Sequence, residues 1–184
     1  MRKTFLFILI MAFVFTSIAW SLKIGGKNLP DEFNAGDSTL ILNGAGLRKK
    51  IIIKVYAGAL YLMQKSSDAN AIIEADEPMA VKMHFIYKAV SPEKLINAWN
   101  TGFSKSNISN LQEEIKTFNS YFTEDAKKDD IYDIIYVPKV GTSVYMNNEL
   151  KGTIPGLKFK KAVFSIWLGE DTELPKLKKA MLGK

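Results

Sequence analysis

Between Leu42 and Leu62 the chain runs LNGAGLRKKIIIKVYAGALYL, and this stretch limits the possible folds more than any other. Its second half, Lys54-Val55-Tyr56-Ala57-Gly58-Ala59-Leu60-Tyr61-Leu62, is a strand by its length and its valine and tyrosine content, and the β-branched run Ile51-Ile52-Ile53 leads into it. Asn43-Gly44-Ala45-Gly46 has the composition of a turn. Gly58, inside the strand, predicts a bulge or a close approach of another backbone. A strand this apolar must be covered, so whatever surrounds it has to supply a layer of helices or a second sheet.

Arg48 is one of only two arginines, the other being Arg2, while lysine carries the rest of the positive charge. A guanidinium presents a rigid planar fork that binds a carboxylate or phenolate through paired hydrogen bonds, which a lysine cannot reproduce. Tyr56 follows eight residues later in an otherwise apolar strand. Arg48 and Tyr56 are therefore expected to face a ligand anion in a mostly apolar cleft; the plain alternative is a solvated surface arginine.

Elsewhere the patterns are conventional. Ile24 to Pro30 suggests a loop with a short edge strand, Phe33 to Ser38 a turn region, and Thr39-Leu40-Ile41-Leu42 a strand. Asp68 to Ala75 is a short helix capped at Ser67 or Asp68. Met79 to Lys88 alternates, with Val81, Met83, Phe85 and Tyr87 on one face. Ser91-Pro92-Glu93 starts a helix with the stripe Leu95, Ala98, Trp99, Gly102 and Phe103; a second runs from about Ser109 to Phe122 with Leu111, Ile115, Phe118 and Phe122. Ile131–Val137 is a strand, and Gly141 to Ile154 a hairpin turning at Asn147-Asn148. Leu157–Leu168 is a helix ended by Gly169, and Leu174 to Leu182 is a last short one. Strands and helices do not alternate regularly. The sum is an α+β domain, an antiparallel sheet of about six or seven strands packed by helices.

The composition excludes several chemistries. There is no cysteine, hence no disulfide framework, thiolate zinc site or cysteine nucleophile. The lone histidine, His84, cannot be built into a triad or a metal motif. Glycines 44 and 46 precede a strand, not a helix, so they form neither a P-loop nor a dinucleotide fingerprint, and no cofactor or metal is implied. The net charge of +6 is mild and its lysines are scattered, which argues against nucleic acid as a partner. A monomer is expected.

Met1-Arg2-Lys3, the apolar run Phe5 to Ala19 and the small residues Ala19 and Ser21 form a three-part export signal. Cleavage after Ser21 leaves one domain, 22–184, in a bacterial periplasm. The apolar run is shorter than the ~20 residues of a spanning helix, so no membrane span is expected after cleavage.

The blocks Leu42-Asn43-Gly44-Ala45-Gly46-Leu47-Arg48, Lys54 to Leu62, Ser91-Pro92-Glu93-Lys94-Leu95 and Phe159 to Gly169 resemble, in order and spacing, the chalcone isomerase-like family and its bacterial exported branch. The resemblance implies an open-faced β-sandwich, a large antiparallel sheet with a layer of helices. The family holds true isomerases, fatty-acid-binding relatives and non-catalytic members. Arg48 matches the arginine that follows G-A-G in the isomerases and assists cyclisation of a chalcone phenolate. The other isomerase positions do not carry over: a threonine is replaced by Tyr56, a tyrosine falls near Ser91, and an asparagine falls near Ala98, with Asn97 beside it. The fatty-acid-binding relatives pair the same arginine with a tyrosine in a Val-Tyr-Ala segment, which Arg48 and Tyr56 match better. The implied function is non-catalytic binding of a small amphipathic acid such as a fatty acid. Arg48 and Tyr56 would hold its head, and Asn97, Trp99, Phe103, Phe118 and Phe122 would line its path between sheet and helices. An isomerase acting on a phenolic enone and an envelope interaction protein with a vestigial cleft are the alternatives.

Overall fold

The computed structural model describes residues 21–106 and 108–184. The export leader expected over 1–21 lies outside the described residues except for Ser21, which opens the first strand. That strand, β1 (Ser21–Ile24), pairs with β2 (Lys27–Pro30) in a small hairpin turned by Gly25 and Gly26, both in the left-handed region. The sequence suggested only a loop with an edge strand here. Two adjacent glycines at positive φ are what a tight hairpin requires.

The main sheet has seven antiparallel strands in the order β11-β10-β9-β6-β5-β4-β3. The first three are β3 (Glu32–Ala35), β4 (Ser38–Lys50) and β5 (Ile53–Leu62). They are followed by β6 (Met79–Phe85), β9 (Ile131–Val137), β10 (Gly141–Met146) and β11 (Glu149–Ile154). Strands β6 and β9 are neighbours although 45 residues of helix and loop, with a small pairing of β7 (Ala89–Val90) and β8 (Ala126–Lys127), come between their ends. The predicted hairpin at Asn147-Asn148 is present, with φ of 52° and 68° at the two residues. The antiparallel sheet with its helices agrees with the α+β architecture expected.

Among the described residues five helices complete the domain: α1 (Ala69–Glu74), α2 (Pro92–Ser104), α3 (Gln112–Ser120), α4 (Leu157–Leu168) and α5 (Pro175–Met181). Asp68 caps α1 by accepting from the backbone N–H groups of Asn70 and Ala71. Helix α4 is the buried one, with nine of its twelve residues inaccessible, and α2, α1 and α5 all pack on it. It ends at Gly169, whose φ of −58° is not the left-handed cap its residue type suggested.

The alternation of β5 sorts the core into two parts. Tyr56, Leu60 and Leu62 join Val81, Met83, Phe85 and the helix side chains; Ala57, Ala59 and Tyr61 join Leu29, Ala35 and Leu40 on the opposite face. That second face is covered by β1, β2 and the curl of β3 and β4, tied down by the Tyr61 hydroxyl donating to the Pro30 carbonyl (2.9 Å). The ion pair Lys82–Asp133 (2.8 Å) lies buried on the same side, with the lysine 5.0 Å from the centre of the Phe33 ring.

One sequence expectation fails outright. Asn43 to Gly46 is no turn but the middle of a single thirteen-residue strand, β4, with a bulge between Leu42 and Gly44. The turn lies later, at Ile51-Ile52, so Arg48 precedes the reversal instead of following it. The glycines are there for packing. A Cβ on Gly44 would run into the Ala180 carbonyl and lie 2.8 Å from that of Met181, and one on Gly46 would come within 2.6 Å of the Ala180 Cβ. They form the bare strip on which α5 lies. Asn43, the bulge residue, clamps the end of that helix: its amide donates to the Met181 carbonyl (2.7 Å) and exchanges two hydrogen bonds with the Ser66 backbone. Gly58 completes the seat, with a Cβ there 3.0 Å from the Met181 terminal methyl; its neighbours are side chains, so the position is neither the bulge nor the backbone approach expected of it.

Candidate functional site at the end of the glycine strip

Antiparallel register places Arg48 directly opposite Tyr56. Side chains paired this way point to the same face, and that face is the one bearing Gly44, Gly46 and Gly58, towards the helices. The glycines let α5 lie flat, and Arg48 is the next residue on this face of β4, where the strip ends. Its surroundings are marked by electrostatics. The charge of Arg48 bears on Tyr56 from one side and on Glu173, just ahead of α5, from the other.

Arg48 is half-buried, and one guanidinium N–H donates to the Lys49 carbonyl. Tyr56 is 7% exposed. Its oxygen accepts a hydrogen bond from the indole Nε1–H of Trp167 on α4 (3.0 Å). Burial pushes the phenol up to about 12, against the opposing pulls of that indole and of Arg48. It is therefore neutral at ordinary pH, and its own proton has no acceptor among the described hydrogen bonds. A second buried donor lies nearby without a partner: the Nε1–H of Trp99, whose ring is 5.7 Å from that of Trp167. Glu173 belongs to Lys105 (2.8 Å), and that bond, with help from Arg48, holds its carboxyl below the usual range. Arg48, Tyr56 and Trp99 thus supply a guanidinium, a phenol proton and an unpartnered indole N–H, all donors, and the local carboxylate is already paired.

The predicted lining behaves differently. Trp99, Phe118 and Phe122 do project between sheet and helices, but they fill that space. Trp99 meets Phe118 at 5.9 Å and Phe122 at 5.4 Å, Phe118 meets Phe122 at 5.0 Å, and all three are 4% exposed or less. Phe103 closes the cluster against Phe118 and Phe159 and also borders a surface depression. Asn97 stands exposed on the outer side of α2, away from Leu95, Trp99 and Phe103, and so does not line the cleft. The Thr172 hydroxyl, donating to the Ile166 carbonyl and accepting from the Leu174 N–H, is committed to the backbone. His84 lies on the opposite face of the sheet, lowered by partial burial and by Lys27. Trp167, the partner of Tyr56, is the participant that sequence reasoning missed; its apolar helical spacing marked it only as core.

Two of the cavities among the described residues are open to solvent. One, of about 530 Å³, lies where α2 meets α3 and is lined by Phe103, Ser104, Ile108, Leu111 and Ile115 among others. The other, of about 540 Å³, lies between the end of β5, α1 and the start of β6. Neither is lined by Arg48 or Tyr56. Among the described residues there is no group of three or more His, Asp or Glu side chains that could hold a metal, and no helix is long and apolar enough to cross a membrane.

No curated protein sequence matches the chain significantly. The crystal structure of an Arabidopsis thaliana fatty-acid binding protein is similar, with a TM-score of 0.73 at 18% identity; the match covers 89% of this chain and 96% of the plant protein. At that identity the likeness establishes the fold and nothing more. The family model described as chalcone isomerase-like matches residues 21–183, which takes in every strand and helix described above. With G-A-G, the arginine and the whole strand order in place, the chain belongs to the chalcone isomerase-like family.

Proposed function

We propose that the protein is an exported, non-catalytic binder of a small amphipathic acid, with the acid's carboxylate held between Arg48 and Tyr56. The observation that carries this reading is the cross-strand pair itself: a half-buried guanidinium beside a buried neutral phenol whose proton has no acceptor. A carboxylate would satisfy both donors, and charge-assisted bonds of this kind are about twice as strong as neutral ones. The fatty acid is carried over as ligand class from the plant protein of the same fold. A chain of methylenes would then supply most of the affinity, about 0.8 kcal/mol for each one buried.

The tail cannot lie where the sequence suggested unless the rings move. The entrance we propose is the depression beside Phe103, whose rim residue Ser104 precedes Lys105, the partner of Glu173 in the field of Arg48. Entry would swing Phe103 and Trp99 aside and give the Trp99 N–H access to an acceptor. The test is extraction of the purified protein followed by mass spectrometry of what it carries. Acyl chains should be recovered from the wild type and be largely lost from Arg48→Ala; equal loading of the two proteins refutes the anchoring role.

The closed ring cluster favours one other reading, an envelope interaction protein whose cleft is vestigial. That reading predicts no saturable uptake of any acid at all. An isomerase is less well served, since Ser91 stands where the isomerases carry tyrosine; chalcone cyclisation should proceed no faster with the protein than without it.

A further inference from the structure

The hairpin joining β4 to β5 ends in water on two isoleucines. Ile51 is 91% exposed, Ile52 is 87% exposed and Ile53 is 44% exposed. Ile51 also has φ of 58°, a left-handed conformation that a β-branched residue adopts only under strain and that glycine or asparagine would hold freely. Folding does not explain the choice, because the tip buries nothing and the turn would form more easily without it. On the tip itself the charge has one sign: Lys49, Lys50 and Lys54 are exposed on its two arms, and Lys88 is exposed close to where the Ile86 and Tyr87 N–H groups bond to the Val55 carbonyl, while Arg48 stands behind them with Glu173, paired to Lys105, in its field. No acidic residue occurs between Arg48 and Lys54.

We infer that this hairpin tip is a membrane-docking element, with Ile51 and Ile52 entering the outer part of an anionic phospholipid bilayer and the ring of lysines resting on its head groups. Apolar side chains at the apex and cations one step back match the layering of a lipid surface, apolar below and anionic at the boundary. A protein partner of ordinary composition would not call for a collar of cations. Three residue steps, about 10 Å of extended chain, separate Ile51 from Arg48, so docking would bring the proposed head-group site close to the source of acyl acids. That last link rests on the function proposed above; the docking itself does not.

The chain contains no cysteine, so a single Ile52→Cys carries an environment-sensitive fluorophore without further changes. The exported form, residues 22–184 without the apolar leader and free of added fatty acid, is mixed with vesicles of phosphatidylcholine alone or of phosphatidylcholine with phosphatidylglycerol. A blue shift is expected with the anionic vesicles, weakening as salt rises. In flotation, Ile51→Asn with Ile52→Ser should lower partitioning about tenfold or more, and Lys49→Gln or Lys50→Gln about fivefold each. Asparagine accepts the positive φ, so the double variant keeps its fold, verified by circular dichroism. No shift, equal shifts with neutral and anionic vesicles, or undiminished partitioning of the double variant would each overturn the inference. So would a shift that appears without lipid as protein concentration rises, which would mark the tip as a contact between copies of the chain. A protein that binds fatty acid but leaves the label unmoved refutes the docking and spares the binding site.

Discussion

Tyr56 joins three parts of the structure through one oxygen: the strand that carries it, the helix that donates to it through Trp167, and the field of Arg48. Tyr56→Phe would leave the buried indole N–H without an acceptor. The expected loss is about 1–3 kcal/mol, measurable by urea denaturation, and in a double-mutant cycle with Trp167→Phe the two losses should be less than additive. Alkali acts on the same group. Burial raises Tyr56, Tyr132 and Tyr136 each to about 12. The unfolded chain releases those protons near pH 10, the folded chain only near 12. Their stabilising contribution is thus complete below pH 10 and is lost as pH rises through that window. Equilibrium unfolding followed from pH 9 to 12 should show that decline, and a flat profile would contradict the burial of these phenols. At this scale the sequence was informative about Arg48 and Tyr56, because an arginine rare in a lysine-rich chain and a tyrosine in an apolar strand are visible as anomalies. Trp167 was not legible as their neighbour, since 111 residues separate it from Tyr56 and its own pattern is that of any core residue. Asn97 was misplaced because a motif alignment carries no helical phase, and one residue's shift along α2 is enough to turn a side chain from the core to water.

Among the elements, α5 depends on a strip of strand without side chains. Gly44→Ala would press a methyl into the carbonyls of Ala180 and Met181. Overpacking of this kind costs about 1–3 kcal/mol, and the signature should be loss of hydrogen-exchange protection in α5 before the rest of the domain. Protection unchanged across α5 would mean that the helix is not seated as described. Helix α1 has a different dependence. The ammonium of Lys160, on α4 and fully buried, donates to the carbonyls of Ile72, Ile73 and Ala75 at 2.7–2.8 Å, closing the C-terminal end of α1. Burial pulls this lysine down to about 8, while the three carbonyls take up all three of its protons. Lys160→Met should therefore cost about 1–3 kcal/mol, since it leaves carbonyls at the end of α1 without a donor, with α1 fraying first in exchange. A loss under 1 kcal/mol would show that water serves those carbonyls equally well. Helices with a clear stripe, such as α2 and α4, and hairpins with asparagine turns could be read directly from residue order. The glycines of β4 could not, because glycine serves turns and close packing alike, and the helix that lies against them comes more than 130 residues later.

The whole molecule is a curled seven-stranded sheet with two cores, one of which is closed over by a set of rings drawn from α2, α3 and α4. The architecture was legible because strands met in hairpins and helices came in pairs, which together leave few arrangements. The state of the cleft was not: the same aromatic stripe either lines a channel or fills it, and only the rotation of each ring decides. Because the rings close the cleft, the binding proposed above would be a reorganisation driven by the contacts of the head group. The most direct test is calorimetric titration with a long-chain fatty acid and with the alcohol of equal length, into wild type and Arg48→Gln. The two ligands share a tail and differ in the anion. The account predicts that wild type binds the acid about 10- to 100-fold more tightly than the alcohol, from a charge-assisted bond worth about 1.5–3 kcal/mol, and that Arg48→Gln abolishes the difference. Equal affinities for acid and alcohol in the wild type, or no uptake of either, would contradict it.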